Sequence, residues 1–425
     1  MTALYEKEDA RKWLQALTSK RLDEDDSQSE KVSKAVKDVI ATVRARGDAG
    51  LKEIAARFKD PMPRCLQMDS KEAIQAIERL TPEVKSTLEF AAERITKFAE
   101  GVMGAIQPVN IQFDQYSAGL DFKPIQRAAC YVPGGRYPLP STALMTALTA
   151  KVAGVKEIVI FTPVLKDEIV FAGSLAGVSA FYEIGGAQAV AAAAFGTETI
   201  KAVDIVVGPG NAYVTEAKRQ LQGVVGIDML AGPSEIAVIA DGGANIEWVC
   251  LDLLSQAEHD PDARAYLFTD DKVLAESVLK RLPELQLSLK LPDFVSESLS
   301  LSVILLLESI DECIAAANAV APEHLLLEVK EPQSLKAKLT NYGALFMGYS
   351  ATVAYGDYCA GPNHTLPTNR AARFSGGLNP LTFLRANSWL DVPSPSTVLA
   401  SQTADFAHIE GLIAHEAAAS ARVGK

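Results

Sequence analysis

The stretch RAACYVPGGRYPLPSTALMTALTAKVAGVKEIVIFTPV, residues 127–164, decides the fold. A short apolar run ends in Pro-Gly-Gly. A segment rich in Ala, Leu and Thr follows, long enough for a helix, and then a second β-branched run. Two strands joined by a helix must run parallel, so this is a βαβ unit. The pattern continues downstream through AFYEIGG (180–186), AQAVAAAAFG (187–196), VDIVVGPG (203–210) and NAYVTEAKRQLQ (211–222). A second series begins at SEIAVIADGG (234–243), passes through the helix NIEWVCLDLLSQAEH (245–259) to RAYLFTDD (264–271), and goes on to SVILLLES, APEHLLLEV and ALFMGYS. Two α/β domains with parallel sheets are therefore expected.

Outside these series the chain changes character. Residues 1 to about 100 read as helices with charged outer faces, as in KVSKAVKDVIATVRARGDAGLKEIAARF. The tail after about residue 378 reads as a loop through SWLDVPSPS and as helix from about Thr403, too little to form a core alone.

Composition narrows the function classes. Fifty-three acidic side chains against 41 basic ones give a formal charge of −12, which repels nucleic acid and anionic lipid surfaces. The N-terminus has no basic-then-apolar leader, and no uncharged apolar run reaches the ~18 residues of a membrane span. A cytoplasmic protein is expected. The cysteines, Cys65, Cys130, Cys250, Cys313 and Cys359, are scattered and never spaced CxxC, which suggests neither a disulfide framework nor a thiolate metal site.

The candidate chemistry lies with the histidines. His259, His324, His364, His408 and His415 all fall after residue 258. In LLSQAEHDPD (253–262) a helix capped by Asn245 would place Gln256 and His259, three apart, on one face. GDYCAGPNHTLPT (356–368) offers Asp357 and His364 in a Gly/Pro loop, and HIEGLIAHEA (408–417) offers Glu410 and His415. A mixed set of nitrogen and oxygen donors suits Zn²⁺ or a similar divalent ion. In APEHLLLEV, Glu323 and His324 are adjacent on extended chain and so should point to opposite sides, where they could flank a substrate. The glycine turns YVPGG (131–135), IGGAQ (184–188) and VVGPGN (206–211) each follow a strand and let a ligand approach backbone closely. Read alone, they are equally compatible with three ordinary tight turns, since GPGNAY lacks the third glycine of a dinucleotide fingerprint.

Taken together, YVPGGRYPLPSTALM, IGGAQAVAAAAFGT, DIVVGPGNAYV, MLAGPSEIAVIAD, LLSQAEHDPD, APEHLLL, GDYCAGPNHTLPT and EGLIAHE resemble the histidinol dehydrogenases from about residue 30 to the C-terminus. The resemblance implies a homodimer that oxidises L-histidinol to L-histidine through the aldehyde, with NAD and one Zn²⁺ per subunit. It implies Gln256, His259, Asp357 and His415 as zinc ligands and Glu323 and His324 as the catalytic pair. Tyr131, Gln188 and Asn211 become the NAD contacts. Ser234, His364 and Glu410 become contacts to substrate, alongside the zinc ligands and His324. The expected architecture is two incomplete Rossmann-like α/β domains with small terminal extensions. Residues 1–23 form an N-terminal helical extension, 24–129 with 237–378 the catalytic domain, 130–236 the NAD-binding domain, and 379–425 an arm exchanged across the dimer.

Rival readings are a related zinc and NAD dehydrogenase of another small alcohol, such as sulfopropanediol, a zinc hydrolase, and a non-catalytic zinc or amino-acid binding protein. A hydrolase would use Glu323 and metal-bound water without needing three glycine turns. A binding protein would have no use for Glu323 and His324.

Overall fold

The computed structural model describes residues 2–19, 26–134, 139–394 and 396–423. The fold rests on two six-stranded sheets and one three-stranded sheet. The first large sheet has the order β2 (Arg64–Gln67), β7 (Ala180–Glu183), β6 (Glu157–Thr162), β5 (Arg127–Tyr131), β8 (Ile205–Val207) and β9 (Gly226–Ile227). All its pairs are parallel except the edge strand β2, which runs antiparallel to β7. The second is wholly parallel, in the order β1 (Ala3–Glu6), β12 (Val303–Leu306), β11 (Arg264–Thr269), β10 (Glu235–Ala240), β13 (His324–Glu328) and β14 (Ala344–Met347). The small antiparallel sheet joins β15 (Leu384–Asp391), β4 (Ser117–Pro124) and β3 (Val109–Gln112).

The sequence accounts for both large sheets. Strands covered by helices on two faces are apolar throughout rather than alternating. In β10, EIAVIA, Ile236, Val238 and Ala240 join the core on one face, while Ala237 and Ile239 join the core on the other. In β5, Ala128 and Cys130 face one way and Ala129 and Tyr131 the other. The helix Pro140–Val152 that returns from β5 to β6 buries every residue from Thr142 to Ala150. Its Ala- and Thr-rich composition permits that close packing.

Sheet membership divides the chain differently from the expected pairing of 24–129 with 237–378. Arg64–Gln67 and Arg127–Tyr131 both belong to the first sheet, so a cut after residue 129 would pass through a strand. The helical segment Asp26–Phe58, kinked at Gly47, also packs its Val36, Val39, Val43, Leu51 and Ile54 into that sheet's core. The N-terminal segment is not purely helical, because Ala3–Glu6 forms the edge strand beside β12 and only Lys7–Ser19 is helix. A run as short as ALYE gives no period to read. The expected loop through SWLDVPSPS begins as strand, because β15 runs to Asp391, and its partner β4 lies more than 260 residues away in sequence at Arg385–Pro124, |i−j| = 261.

One buried group carries a prediction. Glu328, the last residue of β13, has no exposed surface, and neither carboxylate oxygen has a hydrogen-bond partner among the described residues. Burial, helped by the nearby charge of Asp252, pushes its pKa up to about 8. The folded chain thus holds this proton more tightly than the unfolded chain. Its contribution is complete below the ordinary carboxylate range and is lost as pH rises toward 8. Glu328→Gln should therefore exceed the parent in stability at high pH by on the order of 3 kcal/mol, and the advantage should vanish at acid pH. Urea melts across that range measure it; a difference independent of pH would refute it.

Candidate active site

Strands β10 and β13 lie side by side with Ile236 opposite His324, so their amino ends bring Ser234, Glu235, Glu323 and His324 together. Glu323 Oε2 accepts the Glu235 backbone N–H at 2.9 Å. His324 Nδ1 stands 3.3 Å from the Glu235 carbonyl oxygen and 3.7 Å from Glu323 Oε2. The two side chains therefore converge on the neighbouring strand instead of pointing to opposite sides. Glu323 lies just before the strand begins, where the alternation of an extended chain does not yet apply. Both are buried.

The helix Ile246–Ala257 runs back over this sheet and ends at the same edge. Asn245 caps it, as expected, accepting from the N–H groups of Glu247 and Trp248. Gln256 is buried on its last turn, but His259 lies two residues beyond the helix and is exposed, so the pair does not share one helical face. The His259 N–H still donates to the Gln256 carbonyl at 3.2 Å, which keeps the two in one turn. Asp357 sits on a short helix, Val353–Tyr358, rather than in a loop. Its Oδ1 is 3.4 Å from His324 Nε2. Thr352 caps that helix and donates its hydroxyl to Asp252 at 2.6 Å, tying the helix that carries Asp357 to the helix that carries Gln256.

Charge follows this geometry. Burial works against the imidazolium of His324, but Glu323 and Asp357 outweigh it and hold the ring's pKa above its ordinary value. Burial pushes Glu323 up to about 7 despite the opposing charge of His324 and the Glu235 amide. Burial and the charge of Glu323 push Glu235 up as well. Asp357 is penalised by burial too, yet His324, His364 and His259 together bring it below the usual carboxylate range. His364 falls to about 4, chiefly through burial, so it is a neutral imidazole near pH 7. A carboxyl poised near neutrality beside a histidine is an acid–base arrangement.

The glycine turns collect at the carboxyl edge of the first sheet. Tyr131, buried at the end of β5, accepts the Gly186 N–H through its hydroxyl at 3.0 Å. Gln188 is buried and donates to Asp60 Oδ2 at 3.2 Å. Asn211 is exposed and caps the helix Ala212–Leu221 through bonds from Tyr213 and Val214. Gly135 of the YVPGG turn lies outside the described residues. A chain of contacts joins this edge to the histidines: Thr215 Oγ1 donates to the Ala231 carbonyl at 2.8 Å, and the Gly232 N–H donates to Thr368 Oγ1 at 2.5 Å, four residues past His364.

A model of the histidinol dehydrogenase family matches residues 22–423. The chain belongs to the histidinol dehydrogenase family. The histidinol dehydrogenase of Rhodospirillum rubrum is 42% identical to it over 93% of both chains, and histidinol dehydrogenase 1 of Nostoc sp. is 42% identical over 92% of both. The crystal structure of histidinol dehydrogenase from Elizabethkingia anophelis superposes with a TM-score of 0.91 at 33% identity, covering 99% of this chain and 98% of that one.

Within this member of the family, one chain assembles only part of the expected site. Ser234, Gln256, His259, Glu323, His324, Asp357 and His364 gather at the amino edge of the second sheet. Glu410 and His415 do not join them. Both are exposed on the C-terminal helices, and neither makes a hydrogen bond or ion pair with that cluster. Among the described residues no group of three or more His, Cys, Asp or Glu side chains could hold a metal. The chemistry of the side chains nevertheless suits one, because the imidazole nitrogens His324 Nε2 and His364 Nε2 are buried without hydrogen-bond partners, and both rings lie close enough to Asp357 to lower its pKa. Gln256 and Asp357 lie on two tethered helices, and His259 follows the first of them.

Sequence reasoning missed Glu235, Asp252 and Asp60, which hold site residues or the helices that carry them; Glu235 lies within the quoted MLAGPSEIAVIAD but is given no role there. For the first two the signal is a charge inside an apolar run, as in PSEIAVIA and VCLDLLSQ. Among the described residues no helix is long and apolar enough to cross a membrane.

Proposed function

We propose that this chain oxidises L-histidinol to L-histidine through the aldehyde, with Glu323 and His324 as its acid–base pair. Family membership supports the substrate and the reaction. The observation that carries the residue roles is the convergence of a buried carboxyl and an imidazole on the Glu235 backbone, beside a carboxylate 3.4 Å from the imidazole. Bound NAD⁺ would supply the hydride acceptor, and Zn²⁺ held by Gln256, His259, Asp357 and His415 would supply an anchoring Lewis acid. Tyr131, Gln188 and Asn211 would hold the dinucleotide, and Ser234, His364 and Glu410 would contact the substrate.

Removing two electrons from the alcohol releases a hydride and the hydroxyl proton, and His324 takes that proton. The aldehyde must then gain water before a second hydride can leave. Glu323, with its pKa about 7, accepts the proton of that water while His324 returns its proton to the aldehyde oxygen, which frees the ring to accept the hydroxyl proton of the hydrate as the second hydride departs. Burial of both groups limits competing solvent at the reacting carbon.

The test is stoichiometric. Purified protein given L-histidinol and NAD⁺ should form two NADH for each histidinol consumed, with little free aldehyde. One NADH with accumulating aldehyde would rule out the second oxidation. Chelation should abolish turnover and Zn²⁺ should restore it without refolding, because neither large core depends on the ion. His259→Asn should lower bound zinc; full zinc content in that variant would remove His259 from the ligand set.

A further inference from the structure

The VVGPGN turn is held by a buried ion pair that no catalytic step uses. Lys218, on the helix Ala212–Leu221, pairs with Asp228, which follows β9. Their side chains are only 3% and 1% exposed. Taking two full charges out of water is costly unless both are paired and hydrogen-bonded.

Its hydrogen bonds show what it holds. Lys218 Nζ donates to the Gly208 carbonyl at 2.9 Å, and Asp228 Oδ2 accepts the Gly208 N–H at 2.7 Å. The remaining oxygen, Oδ1, accepts the Met229 N–H at 2.7 Å. Both polar groups of one buried glycine are thus matched by opposite ends of one ion pair. An apolar pair of similar volume would leave that N–H and C=O unsatisfied. Gly208 has φ +113°, and a Cβ there would lie 2.2 Å from the Tyr131 carbonyl oxygen. The glycine is therefore pressed onto Tyr131, whose hydroxyl holds the Gly186 turn. Pro209 and Gly210 then lead directly to Asn211.

We propose that Lys218 and Asp228 are positioning residues for the dinucleotide: they fix Gly208, and through it the relation between Tyr131, the Gly186 turn and Asn211. This rests on the assignment of Tyr131, Gln188 and Asn211 to NAD⁺. The pair touches no reacting group. Loosening it should weaken dinucleotide binding without altering proton transfer.

The experiment compares Lys218→Met, Asp228→Asn, the double variant Lys218→Gln/Asp228→Asn and Asn211→Ala with the parent, each below its own melting temperature. NAD⁺ affinity is measured by calorimetry on the zinc-loaded protein, together with KM for NAD⁺, kcat and histidinol affinity. The single variants should bind NAD⁺ about tenfold more weakly, or worse, with histidinol affinity unchanged. The double variant, which leaves no unpaired charge and keeps hydrogen-bonding groups at both positions, should recover much of that loss. It also serves if a single variant does not fold. Variants that melt earlier but bind NAD⁺ as the parent does would make the pair structural only and overturn the inference. If Asn211→Ala also binds like the parent, or the parent binds no NAD⁺, the dinucleotide assignment itself fails and the inference falls with it.

Discussion

Glu323→Gln should leave the first oxidation close to the parent rate and slow the second by about 10² to 10⁴-fold, whereas His324→Asn should slow both. The difference follows from where the protons are. Alcohol oxidation requires one acceptor for a hydroxyl proton, and the imidazole supplies it. Aldehyde oxidation requires a water to lose a proton first, and the amide that replaces the carboxylate has no capacity to take it. Geometry should survive the substitution, because Glu323 Oε2 only accepts a bond from the Glu235 N–H, and an amide oxygen can accept the same bond. Assays begun separately from histidinol and from the aldehyde measure the two steps. Equal losses on both substrates would remove Glu323 from water activation and return it to a structural role beside β10.

The candidates for these roles could be singled out in the sequence because the titratable residues sit in short, dense motifs. APEH, SQAEH and GDYCAGPNH each place titratable or ligating groups within a few residues of a strand or helix end. The sheets were legible for a related reason: strands buried on both faces are uninterrupted apolar runs, and helices packed on both sides, such as AQAVAAAAF, are apolar all round. Partnership across the chain was not legible. Nothing in ALYE announces pairing with Val303–Leu306, and nothing in RCLQ announces an antiparallel edge beside β7. Four-residue strands carry too little pattern to name a partner.

The same limit applied within the site. Spacing in sequence placed Gln256 and His259 on one helix, but Asp260-Pro261 follows, the helix stops at Ala257, and His259 leaves it. Gly/Pro content suggested a loop around Asp357, where Thr352 instead caps a short helix. The convergence of Glu323 and His324 depends on the Glu235 backbone, which belongs to a strand 88 residues away in sequence and cannot be found from either residue's neighbours.

The C-terminal arm leads to the second large effect. β15 pairs with β4, but beyond it the helices Thr397–Glu410 and Ile413–Ser420 pack mainly on each other. Val398, Phe406, Ile409 and Ile413 are left largely exposed, Ile409 by 78% and Ile413 by 79%. An apolar face of this kind marks an association surface. It lies on the helices that carry Glu410 and His415, which stand apart from the Gln256, His259 and Asp357 with which they are proposed to act. A second copy placed across a two-fold axis would complete both sites at once, each arm serving its partner. Homodimers of Glu323→Gln and of His415→Asn should then both have little activity. After dissociation and one-to-one mixing, half of the dimers would be hybrids, and in each hybrid one site would carry both lesions and the other none. Activity should return to roughly a quarter of the parent value. Were His415 to serve its own subunit, every site in every dimer would hold a lesion and mixing would recover nothing. That result would end the shared-site arrangement while leaving His415 available as a ligand within one chain.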